Sequence, residues 1–309
     1  MILGLDIGGT KTAVVVGTER GEIISRSQFA TASERGFEQV FEELSTTAAQ
    51  AMSKAPKPVK AISVSVGGPL DILKGIIQSP PNLPGWNNIP LKDLLAKRFS
   101  LPVFVEHDGN AGALAEFYFG AGRGYRNIVF LTMGTGLGAG LILDGKIYRG
   151  TTDTAGELGH IRIAEDGPHC YGKPGSLEGY GSGTGMAKLA HMMFPSLWSD
   201  AATVSDVYSA WKRGSQEAYQ VFERAGLYLG RGFAIIADLI NPERIILGGL
   251  GLRIADAFLP SAEKAFRREA LPQASAACSI VPAQLGEAIG DVASLCAALD
   301  QGGLMEKVG

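Results

Sequence analysis

The sequence predicts an α/β protein of two domains, each opened by a glycine-rich hairpin. Three observations carry the prediction. The chain has 309 residues, enough for two domains of ordinary size. Its first strands lead into a helix and then a further buried strand, the order of a right-handed crossover in a mixed sheet. The pattern strand, Gly/Thr turn, strand also occurs twice, at residues 2–16 and 127–143.

Composition narrows the class. An apolar content of 46% is ample for real cores, and the net charge of −3 lacks the basic face that nucleic acid requires. Met1 to Asp6 has neither a basic segment nor a long apolar run, so no signal peptide, spanning helix or membrane partner is expected. Cys170, Cys278 and Cys296 are too few and too scattered for a disulfide framework, which fits a cytoplasmic protein. The 42 glycines fall in short runs and mark tight backbone rather than linkers.

Residues 2–7 and Val14-Val15-Val16 read as strands joined by Asp6-Ile7-Gly8-Gly9-Thr10-Lys11-Thr12. Two glycines, a hydroxyl and a lysine at a hairpin turn can bring N–H groups and one cation to phosphate oxygens, with Asp6 placed for a hydrated Mg2+. A plain Gly-Gly turn with a solvated lysine fits the same residues. The spacing is not that of a Walker loop, because a strand follows instead of a helix. Gly21 to Phe29 reads as a third strand. Glu34 to Lys54 reads as a helix with Phe37, Val40, Phe41, Leu44 and Ala48 on one stripe. Val59 to Val66 is a buried strand running into Gly67-Gly68-Pro69, and Leu70 to Gln78 a short hairpin. Ser79 to Pro90 is a loop in which Asn82 and Trp86 suit polyol recognition, by an amide and an apolar wall. The same loop also fits an ordinary turn packed by its tryptophan.

A helix at Leu91 to Phe99 leads to the strand Leu101 to Val105, then Glu106-His107-Asp108-Gly109-Asn110, then an alanine-rich helix from Ala111 to about Phe119. Asp108 thus lies where a strand end meets the N–H groups and positive dipole end of a helix. It either caps that helix or serves as general base toward a hydroxyl nucleophile.

Asn127 to Met133 is a strand followed by Gly134-Thr135-Gly136-Leu137-Gly138-Ala139-Gly140. The next stretch, Leu141 to Tyr148 with its Asp144-Gly145 turn, reads as a hairpin, which excludes a dinucleotide fingerprint. A polar stretch follows, containing Glu157, His160, His169, Cys170 and Glu178. Glu157, His160 and Glu178 either bind the hydroxyls of one ligand or belong to a solvated loop. The remainder is mostly helical: Thr203 to Arg213, Ser215 to Ile240, Ile254 to Glu269 and Ile289 to Leu299, with strands at Arg244 to Leu247 and Cys278 to Pro282. Gly226, Gly230 and Ala234 are four apart, leaving room for a close backbone.

Taken in order, Asp6-Ile-Gly-Gly-Thr-Lys, the Asp108 turn, Met133-Gly-Thr-Gly-Leu-Gly-Ala-Gly, Gly156-Glu-Leu-Gly-His160, Leu177-Glu178 and Asn241-Pro-Glu-Arg-Ile-Ile-Leu-Gly-Gly resemble the ROK family of sugar kinases and repressors. The resemblance covers nearly the whole chain. It implies the duplicated actin-like ATPase (ribonuclease H-like) fold, with two α/β domains and a cleft between them. The small domain would be residues 1–116 plus a C-terminal helix at about 289–303, and the large domain residues 117–288. It also implies ATP-dependent phosphorylation of a hexose or amino sugar, and a homodimer or homotetramer. Asp108 would be the base. Gly68, Asn82, His107, Glu157, His160 and Glu178 would hold the sugar. Asp6, Gly8, Gly9, Thr10 and Lys11 would hold Mg2+ and the phosphates with Gly134, Thr135 and Gly136, and Gly249 would lie near the nucleoside.

Two departures from the family pattern stand out. His107 occupies the place of an asparagine, and His169, Tyr171 and Ser176 occupy those of three zinc-binding cysteines. A structural zinc is therefore not expected, since a closed site wants four ligands. The Asn-Leu-Pro-Gly-Trp loop looks most like that of bacterial glucokinases, so the resemblance implies glucose as the sugar. N-acetylmannosamine, N-acetylglucosamine and fructose are alternatives, as is a catalytically weak sugar sensor. A repressor would need a DNA-binding segment ahead of the Asp6 turn.

Overall fold

The computed structural model describes residues 1–305, and the chain divides into two compact units. The first comprises Met1–Phe119, Arg149–Thr154 and the residues from Glu287 onward. Its main sheet contains β1 (Ile2–Ile7), β2 (Lys11–Gly17), β3 (Ile23–Ala30), β4 (Ala61–Val66) and, after the short strands β5 (Leu70–Asp71), β6 (Ile76–Gln78) and β7 (Asn87–Ile89), β8 (Val103–His107). The order is β3-β2-β1-β4-β8. β1 is antiparallel to β2 and parallel to β4, which is parallel to β8. β5, β6 and β7 form a separate small sheet, so the end of the expected 79–90 loop is in fact a strand.

Leu3, Leu5, Val14, Val16, Ile62, Val64 and Val105 are buried in one core with Val40, Leu44 and Ala48 of the helix Phe37–Ser53. That helix starts at its first stripe residue, Phe37, and not at the expected Glu34, because Gly36 takes φ 87° and separates it from a short 3-10 turn, Ser33–Arg35. The helix Ile289–Gln301 packs on β1, β4 and the helix Asp108–Phe119. A side chain at Gly4 would collide with Ser294 and Leu295 of that helix, so glycine permits the close approach. β8 begins two residues later than the expected start at Leu101. Ser100 ends the preceding helix in a left-handed conformation, and Pro102 has no N–H to pair.

The second unit comprises Gly120–Tyr148 and Ala155–Gly286. Its sheet holds β9 (Ile128–Met133), β10 (Leu137–Leu143), β11 (Lys146–Ile147) and, past the hairpin of β12 (His169–Cys170) with β13 (Lys173–Pro174), β14 (Arg244–Gly249) and β15 (Ser279–Pro282). The order β11-β10-β9-β14-β15 repeats that of the first sheet, with the same antiparallel, antiparallel, parallel, parallel sequence of pairings. Asp144 and Gly145 both take positive φ in the two-residue turn that joins β10 to β11. The helix Gln216–Ile240 crosses Ala255–Glu269, and side chains at Gly226 or Gly230 would collide with Phe258 or Ala262 there.

Candidate active site

In the first unit three adjacent parallel strands end level. Asp6 pairs across to Ser65 and Ser65 to Glu106; Ile7 pairs to Val66 and Val66 to His107. The next residues are therefore Gly8, Gly67 and Asp108, all delivered to the carboxyl edge of one sheet, where open α/β sheets bind ligands. The Gly8–Lys11 turn closes through Gly8 N–H donating to the Lys11 carbonyl at 3.0 Å. Thr10 and Lys11 are exposed. Thr31, which no local pattern marked, supports the turn by donating its hydroxyl to the Gly8 carbonyl at 2.6 Å. The backbone of Asn82 lies so close to Gly9 that any side chain there would overlap it.

Asp108 is the first residue of its helix rather than a cap before it. Its Oδ1 accepts from Gly109 N–H at 2.7 Å, and half of its side chain is open to solvent. A methyl built on Gly67 would lie 3.4 Å from Asn82 Nδ2 and 3.7 Å from Asp108 Oδ2. Amide and carboxylate thus converge on one small space. His107 borders it. Nδ1 of His107 accepts from Gly109 N–H at 3.2 Å and stands 3.2 Å from Asp108 Oδ1, while the Nε2 edge lies against Gly68. Accepting at Nδ1 leaves Nε2 as the donor of the neutral ring. Trp86 takes no part. It is fully buried, edge-on to Phe37 at 5.0 Å, so of its two readings the turn packed by its tryptophan holds and the apolar wall does not.

Asp6 lies beside this space. Burial first, then the neighbouring carboxylates of Asp108 and Asp291, push its carboxyl up to about 7 against the pull of Lys11 and Arg26. Asp291, in the first turn of the last helix, was not foreseen. It is held by Arg26 Nε at 2.8 Å.

In the second unit the Gly134–Gly136 turn closes through Gly134 N–H to the Gly136 carbonyl at 2.9 Å, and Thr135 is exposed. Gly249 pairs with Met133 and takes φ 61°, so the Gly248-Gly249 turn adjoins the Gly134–Gly136 turn at the end of two parallel strands. Glu178 connects to the same turn. Its Oε2 accepts from Leu137 N–H at 3.0 Å, and a side chain on Gly136 would lie 2.8 Å from that oxygen. Burial pushes the Glu178 carboxyl up; the Leu137 bond, His160 and the Cys170 thiol oppose this, and Glu157 adds to it. Glu157, His160 and Glu178 are therefore near one another, with Glu157 exposed and Glu178 buried.

The loop carrying His160 is held by packing and hydrogen bonds. The His160 ring lies against Tyr171 with centroids 4.0 Å apart and planes tilted by 32°, and Lys173 Nζ donates to the His160 carbonyl. Ser176 caps the helix Leu177–Gly181, Leu177 N–H donates to the Ile161 carbonyl at 2.8 Å, and Tyr180 donates to the Asp166 carbonyl at 2.7 Å. Among the described residues no group of three or more His, Cys, Asp or Glu side chains is placed to hold a metal ion.

Two sheets of identical strand order, each carrying a Gly/Thr turn between its first two strands, define the duplicated actin-like ATPase fold. The sequence profile of the ROK family matches residues 2–298, and the chain belongs to that family. It is 31% identical to a glucokinase of Halalkalibacterium halodurans over 320 residues, covering 99% of this chain and 97% of that one. The crystal structure of a ROK hexokinase from Thermus thermophilus superposes with a TM-score of 0.86 at 32% identity, covering 98% of this chain and 99% of that one. A ROK family glucokinase from Streptomyces griseus, solved in complex with glucose and AMPPNP, gives a TM-score of 0.77 at 32% identity, with 97% and 99% covered.

Proposed function

We propose that this protein is an ATP-dependent hexose kinase that phosphorylates glucose. The observation that carries the reading is the convergence of Asn82 and Asp108 over Gly67, level with the Gly8–Lys11 turn. Asp108 takes the proton of the acceptor hydroxyl as its oxygen attacks the γ-phosphorus. The bond from that phosphorus to the bridging oxygen of ADP breaks, and ADP leaves. Such transfer depends on positioning and charge stabilisation more than on covalent chemistry by the protein. Asn82 and His107 orient the sugar beside Gly68, and Glu157, His160 and Glu178 bind its other hydroxyls. Gly8, Gly9, Thr10, Lys11, Gly134, Thr135 and Gly136 hold the phosphates, and Gly249 borders the nucleoside.

Asp6, at the carboxyl end of β1 beside the Gly8–Lys11 turn, would be the residue that meets a hydrated Mg2+ through the ion's water shell. When bound, the ion offsets phosphate charge. We expect no structural zinc, since Tyr171 packs against His160 and Ser176 caps a helix. A homo-oligomer in the cytoplasm fits the free, buried cysteines Cys170, Cys278 and Cys296 and the family resemblance. Among the described residues no helix is long and apolar enough to cross a membrane.

The test is turnover with ATP, and separately with polyphosphate, against glucose, fructose, N-acetylglucosamine and N-acetylmannosamine. Glucose with ATP should give the highest kcat/KM. No turnover with any sugar would reject the kinase reading, and a higher value for an N-acetylated sugar or fructose would reject glucose.

A further inference from the structure

We propose that Arg149 is a positioning residue for Asp108, acting through the buried carboxylate of Glu106. The inference rests on the kinase reading above and extends it to a residue that does not touch the substrate. Glu106 is fully buried and immediately precedes the His107-Asp108 turn. Its Oε1 accepts from His107 N–H at 3.1 Å and from Asn110 Nδ2 at 2.9 Å. These two bonds bracket Asp108 from the residue before it and from the first turn of its helix. Asn110 makes the contact at a cost, because its Oδ1 is left buried with no partner among the described residues.

The other oxygen of Glu106 is held from elsewhere in the same unit. Arg149 reaches it with Nε at 3.0 Å and Nη2 at 2.6 Å, and Gln301 Nε2 lies 3.2 Å away. Nη2 of Arg149 also meets Asp300 Oδ2 at 2.8 Å, and Tyr118, from the helix that Asp108 begins, donates to Asp300 Oδ1 at 3.2 Å. Burial works against the guanidinium's charge, but Glu106 and Asp300 outweigh it and hold Arg149 above its ordinary range. One guanidinium thus locks the strand end, the helix that follows the turn and the C-terminal helix. Among the described residues Asp108 meets only Gly109 N–H and His107. Its orientation is therefore set by the frame beneath it. A buried ion pair adds little net stability compared with apolar packing, so its worth here lies in fixing one geometry.

The experiment combines steady-state kinetics on glucose and ATP, sugar titration and thermal unfolding. Arg149→Lys keeps the charge and loses the planar fork. Glu106→Gln/Arg149→Met removes both charges together, so neither is left buried alone. Both variants should fold, bind sugar within about threefold of the parent, and lose about 10²-fold in kcat, the scale of a misplaced reacting group. Because Arg149 acts through Asp108, the Asp108→Asn/Arg149→Lys pair should be no slower than Asp108→Asn alone. Folded variants with kcat within about twofold of the parent would overturn the proposal, as would losses that multiply in the pair. An inactive parent would instead sink the kinase reading on which the proposal rests.

Discussion

Asn82 and Asp108, 26 positions apart in the sequence, present Nδ2 and Oδ2 to the same point above Gly67, 3.4 and 3.7 Å from where a side chain there would begin. Those are ordinary contact distances, so a methyl at Gly67 fits the protein but occupies the space the two groups share. Gly67→Ala should melt close to the parent and raise the sugar KM by about tenfold or more, as extra bulk in a fitted pocket does. An unchanged KM would move the sugar away from Asn82 and Asp108.

Glu178 has a structural duty as well as its proposed ligand role. Removing its carboxylate leaves Leu137 N–H buried without an acceptor, a loss of about 1–3 kcal/mol. Glu178→Ala should therefore unfold at lower temperature than the parent, whereas Glu178→Gln, which retains an acceptor, should melt near it. Both should weaken sugar binding. Equal melting of the two variants would show that the Leu137 bond carries no weight.

Asp6 predicts a pH dependence of stability. Its folded value of about 7 lies above the ordinary 3.8, so between them the folded state binds more protons than the unfolded. The stability it contributes is complete below about 3.8 and is lost as pH rises through about 7. Asp108 and Asp291 cause part of this shift, and Lys11 and Arg26 oppose it. Denaturant unfolding without nucleotide, at pH values on either side of 7, should show the parent losing ground against Asp6→Asn as pH rises. A constant difference would contradict the burial of an unpaired carboxyl there.

Tyr171 bears on the loop that presents His160. Its ring lies tilted against the imidazole at 4.0 Å, and the β12–β13 hairpin turns through Tyr171 and Gly172 at φ 51° and 71°. Tyr171→Ala should weaken sugar binding, and EDTA should leave the parent's melting temperature unchanged when Mg2+ and ATP are absent. A fall in melting temperature with EDTA would indicate a bound structural metal.

The parts legible in the sequence were those with a local signature. Gly-Gly-Thr and Gly-Thr-Gly between apolar runs mark hairpin turns, and an apolar run ending in Gly67-Gly68 or His107-Asp108 marks a strand end. Trp86 left two readings open because an indole beside asparagines looks the same whether it faces a ligand or a core, and its packing on Phe37 decides for the core. Gly36 and Pro102 shifted element boundaries by local backbone constraints that a hydrophobic stripe overlooks. Arg149, Thr31 and Asp291 gave no signal. Each meets its partner only through tertiary folding: Arg149 reaches Glu106 across 43 positions.

The central claim is that Asp108 removes the proton from the sugar hydroxyl. It is tested most directly by glucose phosphorylation in Asp108→Asn, with sugar binding and unfolding measured on the same preparation. The account predicts a folded variant that still binds glucose and has lost about 10²–10⁴ in turnover, the usual worth of a positioned base. Near-parent turnover with glucose bound would contradict it.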